Sequence, residues 1–251
     1  MPRISPYRIE LTEQQRRVLE SRARQYTLPY FQVFRAQMVL LAADGLANDE
    51  IAASLGCRRE KAGRILDRYA GRFEGELLHP GDFVVCADEK PSIQARARTH
   101  QTLPARPGGG QRIEHEYRRM GALCYLAAWD VRHARIFDRC APKDGIAPFD
   151  QLVDQFMSIE PYASARRVFL VADNGSAHRG QRSIDRLQGT WPNLTLIHTP
   201  IHASWLNQVE IYFSVVQRKV LQPNDFPDLG ALEARLLAFA RRYEQIAQPF
   251  Q

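Results

Sequence analysis

Long apolar runs, paired cysteines and repeats are all missing from this 251-residue chain, and each absence excludes a class of protein. No stretch approaches the ~18 consecutive apolar residues of a membrane span. The N-terminus lacks the charged-then-apolar pattern of a secretory leader. Cys57, Cys86, Cys124 and Cys140 are far apart with no C-x-x-C pair, so neither a zinc site nor a disulfide framework is expected, and reduced, mostly buried thiols in a cytosol are. With 15 Gly and 15 Pro, no internal repeat and no low-complexity tract, the chain is neither collagen-like nor disordered. What remains is 45% apolar and 25% charged, enough for one sizeable core, or one core and a small helical module.

The net charge is +6, and its distribution says more than its size. Lys90, Arg96, Arg98, Arg106, Arg112, Arg118 and Arg119 face only Glu114 and Glu116 within one stretch of the chain. Pro104, Pro107 and the run Gly108-Gly109-Gly110 make that stretch a loop or ribbon rather than a packed helix. A basic flexible segment suits a polyanion such as nucleic acid; a solvated Arg-rich loop is the alternative.

Residues 1–72 read as a helical module. Thr12 and Gln15 form a capping box that opens a helix through Arg24, Leu28-Pro29 breaks it, and Phe31, Phe34, Met38 and Leu41 recur at helical spacing before Gly45. A short helix from Asn48, a turn at Gly56 and a basic helix from Arg58 to Ala70 make a helix-turn-helix candidate. Ile51, Leu55, Ala62 and Ile65 supply its inner face and Ala52 the close approach. Arg58, Arg59, Lys61 and Arg64 lie on or beside the exposed face, within reach of a DNA groove. A plain helical hairpin would share these features.

Residues 73–251 alternate strands and helices. Strands are expected at Phe83–Ala87, Leu123–Val131, Ala134–Cys140, Val168–Ala172 and Leu194–Thr199, with the second and third joined by an Arg132-His133 turn. Helices are expected at Phe149–Ile159, Ser183–Gln188, Leu206–Leu221 and Leu229–Ile246. This order predicts an α/β fold, a mixed sheet with helices on its faces.

Two buried strand runs end in an acid, Asp88 and Asp173, at the edge where open α/β sheets bind ligands. If the strands are parallel neighbours, the carboxylates lie close and repel unless a cation neutralises them. A third acid follows from helix spacing. Positions 206, 209, 213, 216 and 220 form an apolar stripe, and Glu210 lies on its margin, aimed at the sheet edge. Oxygen-only ligands suit Mg²⁺ or Mn²⁺, and three carboxylates are enough for two such ions, one activating a hydroxyl and one stabilising the leaving oxygen of a phosphodiester. Taken singly, each acid also reads as an ordinary surface carboxylate.

Three strings carry a resemblance: Ala87-Asp88-Glu89-Lys90, Val171-Ala172-Asp173-Asn174-Gly175-Ser176-Ala177-His178, and Thr199-Pro200-Ile201-His202-Ala203-Ser204-Trp205-Leu206-Asn207-Gln208-Val209-Glu210. They resemble bacterial DDE transposases of the insertion-sequence branch related to mariner elements (the six-thirty family), and 36 residues separate the second and third acids, in keeping with that branch. The resemblance implies an RNase H-like fold with Asp88, Asp173 and Glu210 as catalytic metal ligands. It also implies cleavage at transposon terminal inverted repeats, strand transfer into a TA dinucleotide, a homo-oligomer on double-stranded DNA, and a cytoplasmic, nucleoid-associated location. Asn174, His178, His202, Ser204, Trp205 and Asn207 fall in the same strings, where packing or DNA contact is expected of them, or capping in the case of His178. The basic set Arg58, Arg59, Lys61, Arg64, Lys90, Arg96, Arg98, Arg112, Arg118 and Arg119 is expected on the DNA.

The chain departs from that branch before the first acid. Only about 20 residues separate Gly56 from Leu77, so a second helix-turn-helix is expected to be absent, and the C-terminus comes a few residues early. Bipartite recognition of a transposon end needs two modules, so weakened end binding is expected, as in an internally deleted element. A non-catalytic DNA-binding remnant or repressor, and an RNase H-like nuclease without strand transfer, remain alternatives.

Overall fold

Thr12 caps the first helix as its sequence requires. Its side chain accepts from Gln15 N at 3.2 Å, and Gln15 Oε1 accepts from Thr12 N at 3.0 Å. The structure, a computed structural model, describes residues 9–25, 30–55, 59–100, 103–110, 112, 115–200 and 203–250. Two compact units divide it, one formed by Met1–Leu77 with His198–Leu206, the other by Leu78–Ile197 with Asn207–Gln251.

The first unit is helical: α1 (Glu13–Ala23), α2 (Tyr30–Ala43), α3 (Asn48–Ser54) and α4 (Arg59–Tyr69). Phe34, Ala36, Ile51 and Ile65 are buried in it, matching the apolar positions that drive helix packing. The expected break at Leu28-Pro29 and turn at Gly56 lie outside the described residues, as does Arg58. A two-residue ribbon, β1 (Arg72–Phe73) and β2 (Glu76–Leu77), closes over Glu74 and Gly75, both at positive φ, the conformation of a tight hairpin turn. Tyr69 Oη donates to the Leu206 carbonyl at 2.7 Å.

The second unit is built on β3 (Asp82–Arg98), β4 (Tyr117–Asp130), β5 (Ile136–Ala141), β6 (Arg167–Ala172) and β7 (Leu194–His198), in the order β5-β4-β3-β6-β7. β3 runs parallel to β6 and antiparallel to β4, which is antiparallel to β5. The mixed sheet expected from the element order is what forms. On one face Phe83, Val85 and Ala87 pack with α5 (Ile146–Met157) and α6 (Gln181–Thr190). On the other lies α7 (Val209–Lys219), which is followed by α8 (Leu229–Glu244). No helix among the described residues is long and apolar enough to cross a membrane. Burial pushes the Cys124 and Cys140 thiols up to about 12, so they stay as inert thiols.

Two expectations need correction. The first strand does not end at Ala87 but continues for eleven residues to Arg98. Its pairing with β6 stops at Cys86, whereas pairing with β4 goes on to Arg98 opposite Tyr117. That outer part is a two-stranded ribbon with no sheet neighbour to bury both faces, so it needs no apolar run, and the basic stretch forms its arms. The helix expected from Leu206 begins at Val209, because Asn207 turns inward to donate to the Ala87 carbonyl at 3.0 Å. The stripe survives: Leu206, Val209, Phe213, Val216 and Val220 are all buried.

A buried chain of hydroxyls ties α7 to the sheet. Tyr125 Oη on β4 donates to Asp138 on β5 at 2.9 Å and meets Tyr212 Oη on α7 at 2.8 Å. Burial pushes the Asp138 carboxyl up to about 6 from 3.8, with the Tyr125 hydrogen bond and Arg241 pulling the other way. A raised carboxyl means that the folded state holds the proton longer, so stability is full below the ordinary carboxyl range and falls as pH rises through about 6, by at most about 3 kcal/mol. Thermal unfolding across pH 4–7 should show that loss, and Asp138→Asn should flatten it.

Candidate functional site

Strand register brings the first two acids to one sheet end. Cys86 lies opposite Val171 at the end of the parallel β3–β6 pair, and Asp88 and Asp173 each follow two residues later on their own chain segments. Asp88 is buried within β3, and Asp173 is the first residue beyond β6. Glu210 stands half-buried in the first turn of α7. The three acids, from distant parts of the chain, feel one another's charge. Burial, and then the negative charges of Asp173, Glu210 and Glu89, hold the Asp88 carboxyl well above the usual carboxylate range, with the Glu89 backbone N–H (2.8 Å) opposing. Burial and Asp173 also raise Glu210, against the pull of Lys90.

Asp88 is held from below as well. Asn207 Nδ2 donates to its Oδ2 at 3.2 Å, while Asn207 Oδ1 is buried with no hydrogen-bond partner. Asn207 was expected to pack or touch DNA; its position makes it a brace for the acid.

Among the described residues, the group whose ligand atoms come together is Asp88 with Glu89 and His178, neither of which was expected there; Asp173 and Glu210 stand outside that close group. Alternation along β3 sends Glu89 to the α5 face, yet His178, fully buried, reaches it from the loop after β6. His178 Nε2 lies 3.2 Å from Glu89 Oε2 and 3.6 Å from Asp173 Oδ1, and Nδ1 is 3.0 Å from the Asp173 carbonyl. A carbonyl only accepts, so Nδ1 carries a proton and Nε2 is left facing carboxylates. Burial disfavours the imidazolium, but the Glu89 hydrogen bond and the Glu89 and Asp173 charges outweigh it and raise the His178 pKa. Phe149 packs against the ring, with centroids 4.5 Å apart. The signal available in sequence was the five-residue spacing of Asp173 and His178, which places the ring back over its own loop. Asp88, Glu89 and His178 each offer a ligand atom within 4.8 Å of the other two. Hard oxygen donors dominate the set, and its negative charge exceeds the cations beside it. That chemistry fits a hard divalent cation.

The basic residues divide between the two units. Arg59 and Lys61 fall in α4 and Arg64 is exposed there, while His202 lies outside the described residues. Lys90, Arg96, Arg98, Arg118 and Arg119 share the β3–β4 ribbon, and exposed Arg112 lies beyond it, bridged to Leu103. Arg96 sits directly opposite Arg119, a like-charge pair that costs stability unless an anion lies nearby. Arg96 and Arg98 also stack on the Tyr117 ring, at 4.6 and 5.5 Å.

A profile of the DDE superfamily endonuclease family matches residues 83–233, which includes all three acids. No curated protein matches the chain. Among solved structures, the Mos1 mariner paired-end complex with Mn is similar with a TM-score of 0.50 at 14% identity, covering 93% of this chain and 91% of that one. The corresponding complex with Mg gives 0.50 and 14%, covering 95% and 76%. The likeness is one of fold: the five-stranded mixed sheet with helices on both faces is RNase H-like.

Gly175 is where this site tolerates least. A Cβ there would lie 2.9 Å from His178 Nε2 and 3.0 Å from Asp173 Oδ1. Gly175→Ala should therefore cost about 1–3 kcal/mol of stability. Gly189→Ala, in helix α6 with open space around it, should be neutral or stabilising by up to about 1 kcal/mol. Paired thermal melts check both.

Proposed function

The chain belongs to the DDE superfamily endonuclease family, and on that premise we propose that it is a DNA transposase cutting and joining phosphodiesters at transposon ends. Asp88, Asp173 and Glu210 are the catalytic acids in this reading. One observation supports it most directly: the negative charges of Asp173, at the exit of β6, and Glu210, on α7, bear on buried Asp88 of β3, and that of Asp173 bears on Glu210, at one sheet end. These residues would hold Mg²⁺ or Mn²⁺, as a pair of ions. When bound, the metal would supply Lewis acidity at the phosphodiester and lower the pKa of an attacking water or hydroxyl.

The chain's own residues do the remaining work. Asn207 fixes the Asp88 carboxylate, and His178 holds Glu89 and the Asp173 loop in register. Lys90 brings positive charge beside Glu210, where a phosphate would sit. The ribbon arginines Arg96, Arg98, Arg112, Arg118 and Arg119 engage the backbone, and the α4 region with Arg58, Arg59, Lys61 and Arg64 engages double-stranded DNA. The partners in this reading are terminal inverted repeats and a TA target, bound by a homo-oligomer. In this reading the chain is of the bacterial insertion-sequence branch that its strings resemble, acting in a cytoplasmic, nucleoid-associated setting. Short spacing between the helical module and the first acid supports loss of a second helix-turn-helix, and with it reduced end specificity.

Purified protein given inverted-repeat DNA and Mn²⁺ should nick it near the repeat ends. Asp88→Asn, Asp173→Asn and Glu210→Gln should each lower the rate by about 100-fold or more. DNA binding that survives all three changes, with no nicking by the unaltered chain, would point to a repressor; nicking without preference for repeats would point to a general nuclease.

A further inference from the structure

Beside the acids, on the α7 face of β3, lies a cleft of about 270 Å³. Lys90 stands at the end near Glu210, on which its charge acts. Gln94 and Arg96 from β3, Gln217 from α7 and Asn224 line the rest. Gln217 follows Glu210 by seven residues, two helical turns on the same face, so the cleft extends about 10 Å from the acids along α7.

Three further observations say that this cleft is built for a ligand. The β3–β4 register slips between Lys90 and Ile93 and again between Gln94 and Arg96. Ser92, inside the first slip, holds φ 58, a conformation that non-glycine residues rarely adopt. Bulges of this kind re-aim side chains next to sites. Second, Gln94 Oε1 and Arg96 Nε are buried with no hydrogen-bond partner, an acceptor and a donor two residues apart in one cleft. Third, the floor is already braced: Asn224 Oδ1 accepts from Arg96 N at 3.1 Å, and Asn224 Nδ2 donates to the Gln94 carbonyl at 2.7 Å. The unsatisfied groups are therefore not waiting for Asn224.

We propose that this cleft is a nucleotide subsite, taking one unpaired nucleotide of the DNA strand whose neighbouring phosphodiester lies at the acids. Lys90 takes its phosphate. Gln94 Oε1 accepts an N–H from the base edge while Arg96 Nε donates beside it, matching the donor–acceptor pattern that base edges carry. At 270 Å³ the cleft is too small for a base pair and falls below the ~300 Å³ of typical small-molecule pockets. Its occupant is a single flipped or frayed unit, of the kind enzymes take out of the stack. This inference rests on the DNA-cutting reading above, and its test separates the two.

The test compares a blunt mixed-sequence duplex with the same duplex bearing short single-stranded tails, bound to the full chain by fluorescence anisotropy in EDTA. The tailed probe should bind about tenfold tighter, the size of one good polar contact. Gln94→Ala and Lys90→Gln should each shrink that preference to about twofold or less, while Arg119→Gln should weaken both probes alike. Melting temperatures equal to the unaltered chain's exclude misfolding, and the milder Gln94→Met, which keeps the length of the side chain but loses the amide oxygen, serves if Gln94→Ala melts early. A tail preference absent, or unmoved by both substitutions, would overturn the subsite. Mn²⁺-dependent nicking without a tail preference would overturn the subsite alone. A tail preference that depends on Gln94 and Lys90, with no nicking in any chain, would support the subsite and overturn the nuclease.

Discussion

Carboxylates drawn together out of water repel one another, and this end of the sheet is organised around that repulsion. Asp88 is buried, so it bears the largest share, and every nearby group either adds to its burden or answers it. Asp173 and Glu210 add. Asn207 answers with an amide and the Glu89 backbone N–H with a hydrogen bond, while His178 faces Glu89 and Asp173 and Lys90 acts on Glu210. A fold that needed only stability would replace such a cluster with apolar residues, since leaving charge uncompensated in the interior is costly. Its retention at a strand end is what ties the architecture to chemistry.

The scaffold meets this cost by making the surroundings stiff. Parallel β3 and β6 bring both chain segments to the same sheet end, each acid following two residues after the last paired position. Helix α7 is fastened by its buried stripe and by the Tyr212–Tyr125–Asp138 chain, so Glu210 has a defined place. His178, packed on Phe149 of α5, links Glu89 to the Asp173 loop. Gly175 is glycine because the ring and the carboxylate already occupy the space a side chain would take.

Much of this was legible in the residues. Five apolar positions before Asp88 and before Asp173 announced two central strands, and the 206-209-213-216-220 stripe announced the helix that carries Glu210. What misled was the assumption that a strand ends where its apolar run ends. β3 keeps pairing with β4 as a polar ribbon, for which burial periodicity carries no signal. Helix α7 starts three residues later than its stripe because Asn207 is bonded to Asp88 and Ala87, a long-range contact that local spacing does not encode. Glu89 was hidden for a similar reason: strand alternation turns it away from Asp88, and only the return of His178 brings it into the cluster.

The central claim is that the acids at this sheet end form one divalent-cation site, and direct binding tests it without any DNA. Mn²⁺ titrated into the full chain, followed by the loss of its free-ion electron paramagnetic resonance signal, should bind saturably, and Asp88→Asn, Asp173→Asn and Glu210→Gln should each weaken that binding in folded protein. Binding that none of the three substitutions alters, or no binding at all, would contradict the account.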